Sequence, residues 1–120
     1  MSRTSQDLAT ETMRRLTLLE AQEEPDAADA AQIISTYTGK LAEWTFREMA
    51  WWTLDEIPEM AFGYVADQMA EENASHFGKA VPLVFDEGGQ QVSIGERGRR
   101  GIKRLAMKER TGLPVMAQYF

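Results

Sequence analysis

Seven basic side chains crowd the stretch from Arg97 to Arg110: Arg97, Arg99, Arg100, Lys103, Arg104, Lys108 and Arg110, against one acid, Glu109. Side chains of this kind do two sorts of chemistry without catalysis. They hold carboxylates on a protein surface, or they neutralise the phosphates of a nucleic acid. Residues 97–120 carry a balance of +6, whereas residues 1–96 hold the other six bases and eighteen acids, a balance of −12. So sharp a boundary suits a subunit whose basic end lies on the acidic surface of a neighbour. No aromatic residue lies between Arg97 and Lys108, so the stacking platform of single-strand nucleic-acid binders is missing.

After Gly112 the chain becomes apolar and uncharged, reading Leu113, Pro114, Val115, Met116, Ala117, Gln118, Tyr119, Phe120. Burial of Val115, Met116, Tyr119 and Phe120 contributes about 1.5–3 kcal/mol each. Ordering a segment of this length costs about 1–2 kcal/mol per residue in backbone entropy. The ordering cost is the larger, so the tail alone would not stay docked. With extra binding from the basic segment and from simultaneous engagement in an assembly, residues 111–120 are expected to form an arm that orders only on another chain. Leu113 joins those four apolar residues as a candidate contact. Trp51 and Trp52 are adjacent in the sequence and cannot both point inward, so this pair is also a candidate contact.

Other chemistry is poorly supplied. The carboxylate pairs Glu71–Glu72 and Asp55–Glu59 fall at helix ends or on surfaces, where solvated faces are the simpler reading. His76, four residues after Glu72, reads as a partner of a helix C-terminus or a packed ring rather than a metal ligand. Gly95, Gly98 and Gly101 resemble a phosphate loop only in spacing, because the Gly-Lys-Ser/Thr ending is absent. Small residues every third position instead let one helix approach another closely. With no cysteine and one histidine, no catalytic residue, metal ligand or cofactor is expected.

The elements that carry these residues follow from periodicity. At 120 residues the chain reads as a single domain of the all-α class, a small bundle of three to four helices over residues 1–110 followed by the arm 111–120. Leu8, Thr12, Leu16 and Leu19 mark a first helix over about 5–20, capped by Thr4 or Ser5. Ala30, Ile33, Ile34, Tyr37, Leu41 and Trp44 mark a second, from near Asp26 to about Met49, with Gly39 as its weak point. A third is predicted from Asp55, with Pro58 in its first turn, to a left-handed stop at Gly78. Residues 83–92 admit a tight turn, a short hairpin or a loop. The span from Ser93 to Arg110 reads as a basic fourth helix. No apolar run approaches a membrane span, and the first residues lack the apolar centre of a secretory signal.

The order of these pieces resembles one protein group. A first helix ending in leucines is followed by the acidic link Glu23-Glu24-Pro25-Asp26 and a long helix closing on Leu41-Ala42-Glu43-Trp44. Next comes Leu54-Asp55-Glu56-Ile57-Pro58-Glu59, running to His76-Phe77-Gly78. This succession, over about two-thirds of the chain, resembles the head-to-tail adaptors of tailed bacteriophages, which include the tail accessory factor below the portal of short-tailed phages. The resemblance implies a non-catalytic virion protein assembled as a homo-oligomeric ring of about twelve copies. Its implied partners are the portal, a downstream tail protein and double-stranded DNA that passes through the channel without sequence-specific contact. It also implies an extended C-terminal segment that reaches a sibling subunit or the portal. The alternative from the residues alone is a small helical nucleic-acid-binding or regulatory protein using residues 97–110.

Overall fold

Thr4 and Asp7 close a capping box: the Asp7 amide donates to the Thr4 hydroxyl at 3.2 Å, and the Thr4 amide donates to the Asp7 carboxylate at 3.1 Å. They start α1 (Ser5–Arg15) in the computed structural model, which describes residues 2–20 and 23–111. The helix was expected to reach residue 20 and stops at Arg15. Thr17 takes a left-handed φ of 59°, and the Thr17 and Leu18 amides turn back to the carbonyls of Arg14 and Met13, each at 2.9 Å. α2 (Ala27–Phe46) ends in the same way, three residues before the expected Met49. Glu48 has φ 60°, with its amide on Thr45 and that of Met49 on Trp44. Both are Schellman stops, built on Thr and Glu where glycine or asparagine is usual.

The α2 face is as the sequence predicts, with Ala30, Ile33, Tyr37, Leu41 and Trp44 all buried. Trp52 joins them. Its indole N–H donates to the Tyr37 hydroxyl at 3.0 Å, while Trp51 remains 40% exposed and meets the Trp52 ring edge-on. Burial pushes the Tyr37 phenol up to about 12. Trp52 is therefore corrected from a candidate contact to a core residue, leaving Trp51 as the exposed member of the pair.

The third helix begins later than its cap signal suggested. Asp55 does not cap it, because its carboxylate accepts from both the amide of Ser5, at 2.9 Å, and its hydroxyl, at 2.8 Å, across 50 residues of chain. Pro58 holds Ile57 extended, and β2 (Ile57–Pro58) pairs antiparallel with β1 (Ser2–Arg3). α3 (Glu59–Ala74) follows, and Gly78 with φ 70° completes the expected stop. Between Pro82 and Ile94 lies a hairpin, the second of the three readings left open for residues 83–92. β3 (Leu83–Phe85) pairs with β4 (Gln91–Ser93), and Asp86 accepts from the amides of Gly88 and Gln90 inside the turn. The Ser93 hydroxyl then caps α4 (Ile94–Thr111) by accepting from the Glu96 amide.

These four helices and two short strand pairs make a mostly helical globule with α3 at its centre. Ten of the sixteen α3 residues are buried, which is why its sequence lacks a clean polar face. Leu8 and Met13 of α1, Ile33 and Tyr37 of α2, and Ile102 of α4 close on its Ala61, Val65 and Met69. A smaller cluster of Leu16, Ala70, Ala74 and Ile94 lies beneath the hairpin, with Val84 and Phe77 packed on it. No helix among the described residues is long and apolar enough to cross a membrane.

Candidate functional site

The basic helix seats against α3 through its glycines. A Cβ on Gly98 would lie 2.5 Å from the Tyr64 carbonyl oxygen and 2.8 Å from the Asp67 Cβ. One on Gly95 would collide with the Glu71 side chain, and one on Gly101 with the Tyr64 ring. The stripe is thus a close helix crossing, as its spacing predicts. Glu71 and Gln68 finish the joint: the Glu71 carboxylate accepts the Gly95 amide at 3.0 Å, and the Gln68 side-chain amide donates to the Gly95 carbonyl.

This seating aims Arg97 at Asp67, a carboxylate that is 2% exposed. Arg97 makes two hydrogen bonds to it, at 2.9 and 3.1 Å, and Arg15 of α1 binds the same group from the other side. The Asp67 carboxylate raises the Arg97 pKa further above its ordinary value, chiefly by hydrogen bonding. Three helices meet at this carboxylate. Arg97 therefore serves the fold first, a role invisible in the sequence because its partner lies 30 residues away.

Arg99, Arg100 and Arg104 are also engaged. Arg99 and Arg100 pair with Glu96 one turn before them, Arg100 reaches Asp86 at 3.2 Å, and Arg104 reaches Glu87 at 2.9 Å. Asp86 is held below the usual carboxylate range, first by the Gln90 amide and then by Arg100. Two acids at the hairpin tip thus latch it along α4. Between tip and helix runs an open groove of about 250 Å³, lined by Tyr64, Phe85, Arg97, Arg100 and Arg104, which continues into one of about 320 Å³ beside Lys103 and Met107. Lys103 and Lys108 have no carboxylate partner among the described residues. Arg110 belongs to the last turn of α4, its side chain outside the described residues, and Leu113, Val115, Met116, Tyr119 and Phe120 lie outside them altogether.

The exposed apolar side chains of Val81, Leu83, Phe85 and Phe46 carry no signal singled out in the sequence, whereas Trp51 was a candidate contact. Val81, Leu83 and Phe85 are 40%, 59% and 69% exposed, while Val84 between them packs inward. That alternation over five residues was a legible strand signal, masked by Pro82. Phe46 at the end of α2 is 90% exposed, and Trp51 in the following connection is 40% exposed. Among the described residues no group of His, Asp or Glu converges as a metal site. His76 packs edge-on against Phe77, and Glu72 faces Lys40 at 3.7 Å. What the arrangement offers chemically is protein contact: apolar side chains beside arginines whose charges are already balanced. No protein-family model, curated protein or solved structure matches the chain.

Proposed function

We propose that this protein is a structural head-to-tail adaptor of a phage or phage-like particle, assembling as a ring beneath the portal. In this role it extends the DNA channel and offers a platform to the next tail component. The order of sequence elements described above suggests the role. The observation that carries it is that large apolar side chains stand exposed on separate elements, among them Phe46 at the end of α2 and the Val81, Leu83, Phe85 strip that leads into and along β3. A subunit that joins copies head to tail around a ring needs two dissimilar patches, one for each neighbour, whereas a two-fold dimer needs only one. Large apolar side chains left in water at separate places are otherwise a liability.

Electron microscopy of the purified protein, alone and mixed with a candidate portal, tests the reading. The expected result is a ring coaxial with the portal. A protein that remains a single copy and leaves the portal bare would overturn it.

A further inference from the structure

Among the described residues β3 pairs with β4 alone, so its other edge carries no strand, and the geometry of that edge says what can cover it. The Ile94 amide donates to the Pro82 carbonyl at 2.9 Å, and the Asp86 amide donates to the Gln90 carbonyl at 2.8 Å. With the register Val84↔Val92, the even-numbered residues of this strand point their backbone groups at β4. Leu83 and Phe85 therefore direct their amides and carbonyls outward, along a free edge. From Ala80 to Phe85 no side chain is charged, so the edge lacks the charges that usually guard such strands, and its outer face is the exposed Val81, Leu83, Phe85 strip. An occupant must be extended, uncharged and apolar on at least one face.

We propose that residues 113–120 of a neighbouring copy add to β3 as an antiparallel strand. The inference rests on the self-assembling adaptor reading for its choice of a second copy. The chain beyond α4 supplies the required chemistry, eight residues without a charged side chain. Its proline selects which alternate residues face the edge. Pro114 has no amide hydrogen, so it must face away from β3, and the odd-numbered residues take the ladder bonds. In an antiparallel ladder, residues directly opposite each other share a face. Leu113, Val115, Ala117 and Tyr119 thereby share the face of Val81, Leu83 and Phe85, and either Leu113, Val115 and Ala117 or Val115, Ala117 and Tyr119 lie directly beside them, apolar against apolar. Continuing an antiparallel hairpin by a third antiparallel strand converts a marginal two-stranded ribbon into a sheet with a covered face. Arg100 and Arg104, already paired with hairpin acids, border this strip without demanding charge from the incoming segment.

The chain has no cysteine, so single cysteines can be introduced cleanly. Leu83→Cys on one full-length copy is mixed, at high concentration and under mild oxidation, with a second copy carrying Val115→Cys, Ala117→Cys or Met116→Cys. The expected result is a disulfide dimer of unlike variants with Val115→Cys or Ala117→Cys, and loss of that band with Met116→Cys. Leu83 is exposed, so its replacement leaves the fold intact, which circular dichroism checks. A link formed only within a chain carrying both cysteines would overturn the inference by placing the segment on its own hairpin. If no link forms while rings are seen on a portal, the docking inference fails and the adaptor reading stands. Absence of both link and ring defeats both.

Discussion

Two glycines in helices of this protein call for opposite expectations when replaced by alanine. Gly39 sits inside α2 with nothing within 4 Å of where its Cβ would be, so it weakens the helix and gains nothing in exchange. Gly39→Ala is expected to stabilise by about 0.5–1 kcal/mol. Gly98 has the same intrinsic weakness, but its Cβ would strike the Tyr64 carbonyl and the Asp67 stem, and a backbone carbonyl in a packed helix cannot step aside. Gly98→Ala is expected to destabilise by about 1–3 kcal/mol, an overpacking cost that outweighs the gain in helix propensity. Urea denaturation of the two variants should move the midpoint in opposite directions. The position matters beyond stability, because displacing α4 also pulls Arg97 from Asp67, the carboxylate that ties α4 to α3 and, through Arg15, to α1.

Element boundaries here are set by residues that do not advertise themselves. Glu48 closes α2 at a φ of 60°, a conformation that costs a non-glycine residue about 1–2 kcal/mol. Glu48→Gly is expected to stabilise by about 1 kcal/mol, raising the melting temperature by about 4 °C. The start of α1 depends on Asp55, whose pKa is lowered by the Ser5 amide and then by the Ser5 hydroxyl. A carboxylate held below its unfolded pKa contributes stability that is complete above that unfolded value and is lost as pH falls through the folded one. Asp55→Ala should therefore lower stability at neutral pH, with the difference from the parent chain narrowing below about pH 4. Denaturant titrations across that range would show it, and a constant difference would count against the assignment. These cases also mark what a sequence can disclose. The buried face of α2, the stop at Gly78 and the glycine stripe of α4 rest on local periodicity or on a property of glycine itself, and each was legible. The true start of α3 was not, because Asp55 answers to Ser5, 50 residues earlier. Likewise, adjacency revealed that one of Trp51 and Trp52 turns outward, but which one depended on Tyr37. The basic run was plain in the sequence; that its arginines answer to Asp67, Asp86, Glu87 and Glu96 needed the tertiary fold.

Across the whole molecule, that pairing changes what a +6 segment means. Arg97, Arg99, Arg100 and Arg104 each hold a carboxylate of the same chain, so most of the segment's field is cancelled within the fold. Lys103 and Lys108 are left facing solvent with no partner among the described residues. Under the adaptor proposal this distribution suits a wall past which phosphate slides, since free arginines would grip it. The distinction can be measured. Each phosphate neutralised contributes a slope of about −0.9 to the logarithm of affinity against the logarithm of salt concentration. Lys103 and Lys108 acting alone give a slope of about −2, whereas all seven bases acting together would give about −6. Fluorescence anisotropy of a labelled duplex, titrated with the full chain at several salt concentrations, is expected to show weak binding near the shallow value. A slope near the steep one would mean that the arginines abandon their carboxylates for phosphate. The hairpin latch would then be a reserve of charge, and the nucleic-acid reading of residues 97–110 would displace the adaptor.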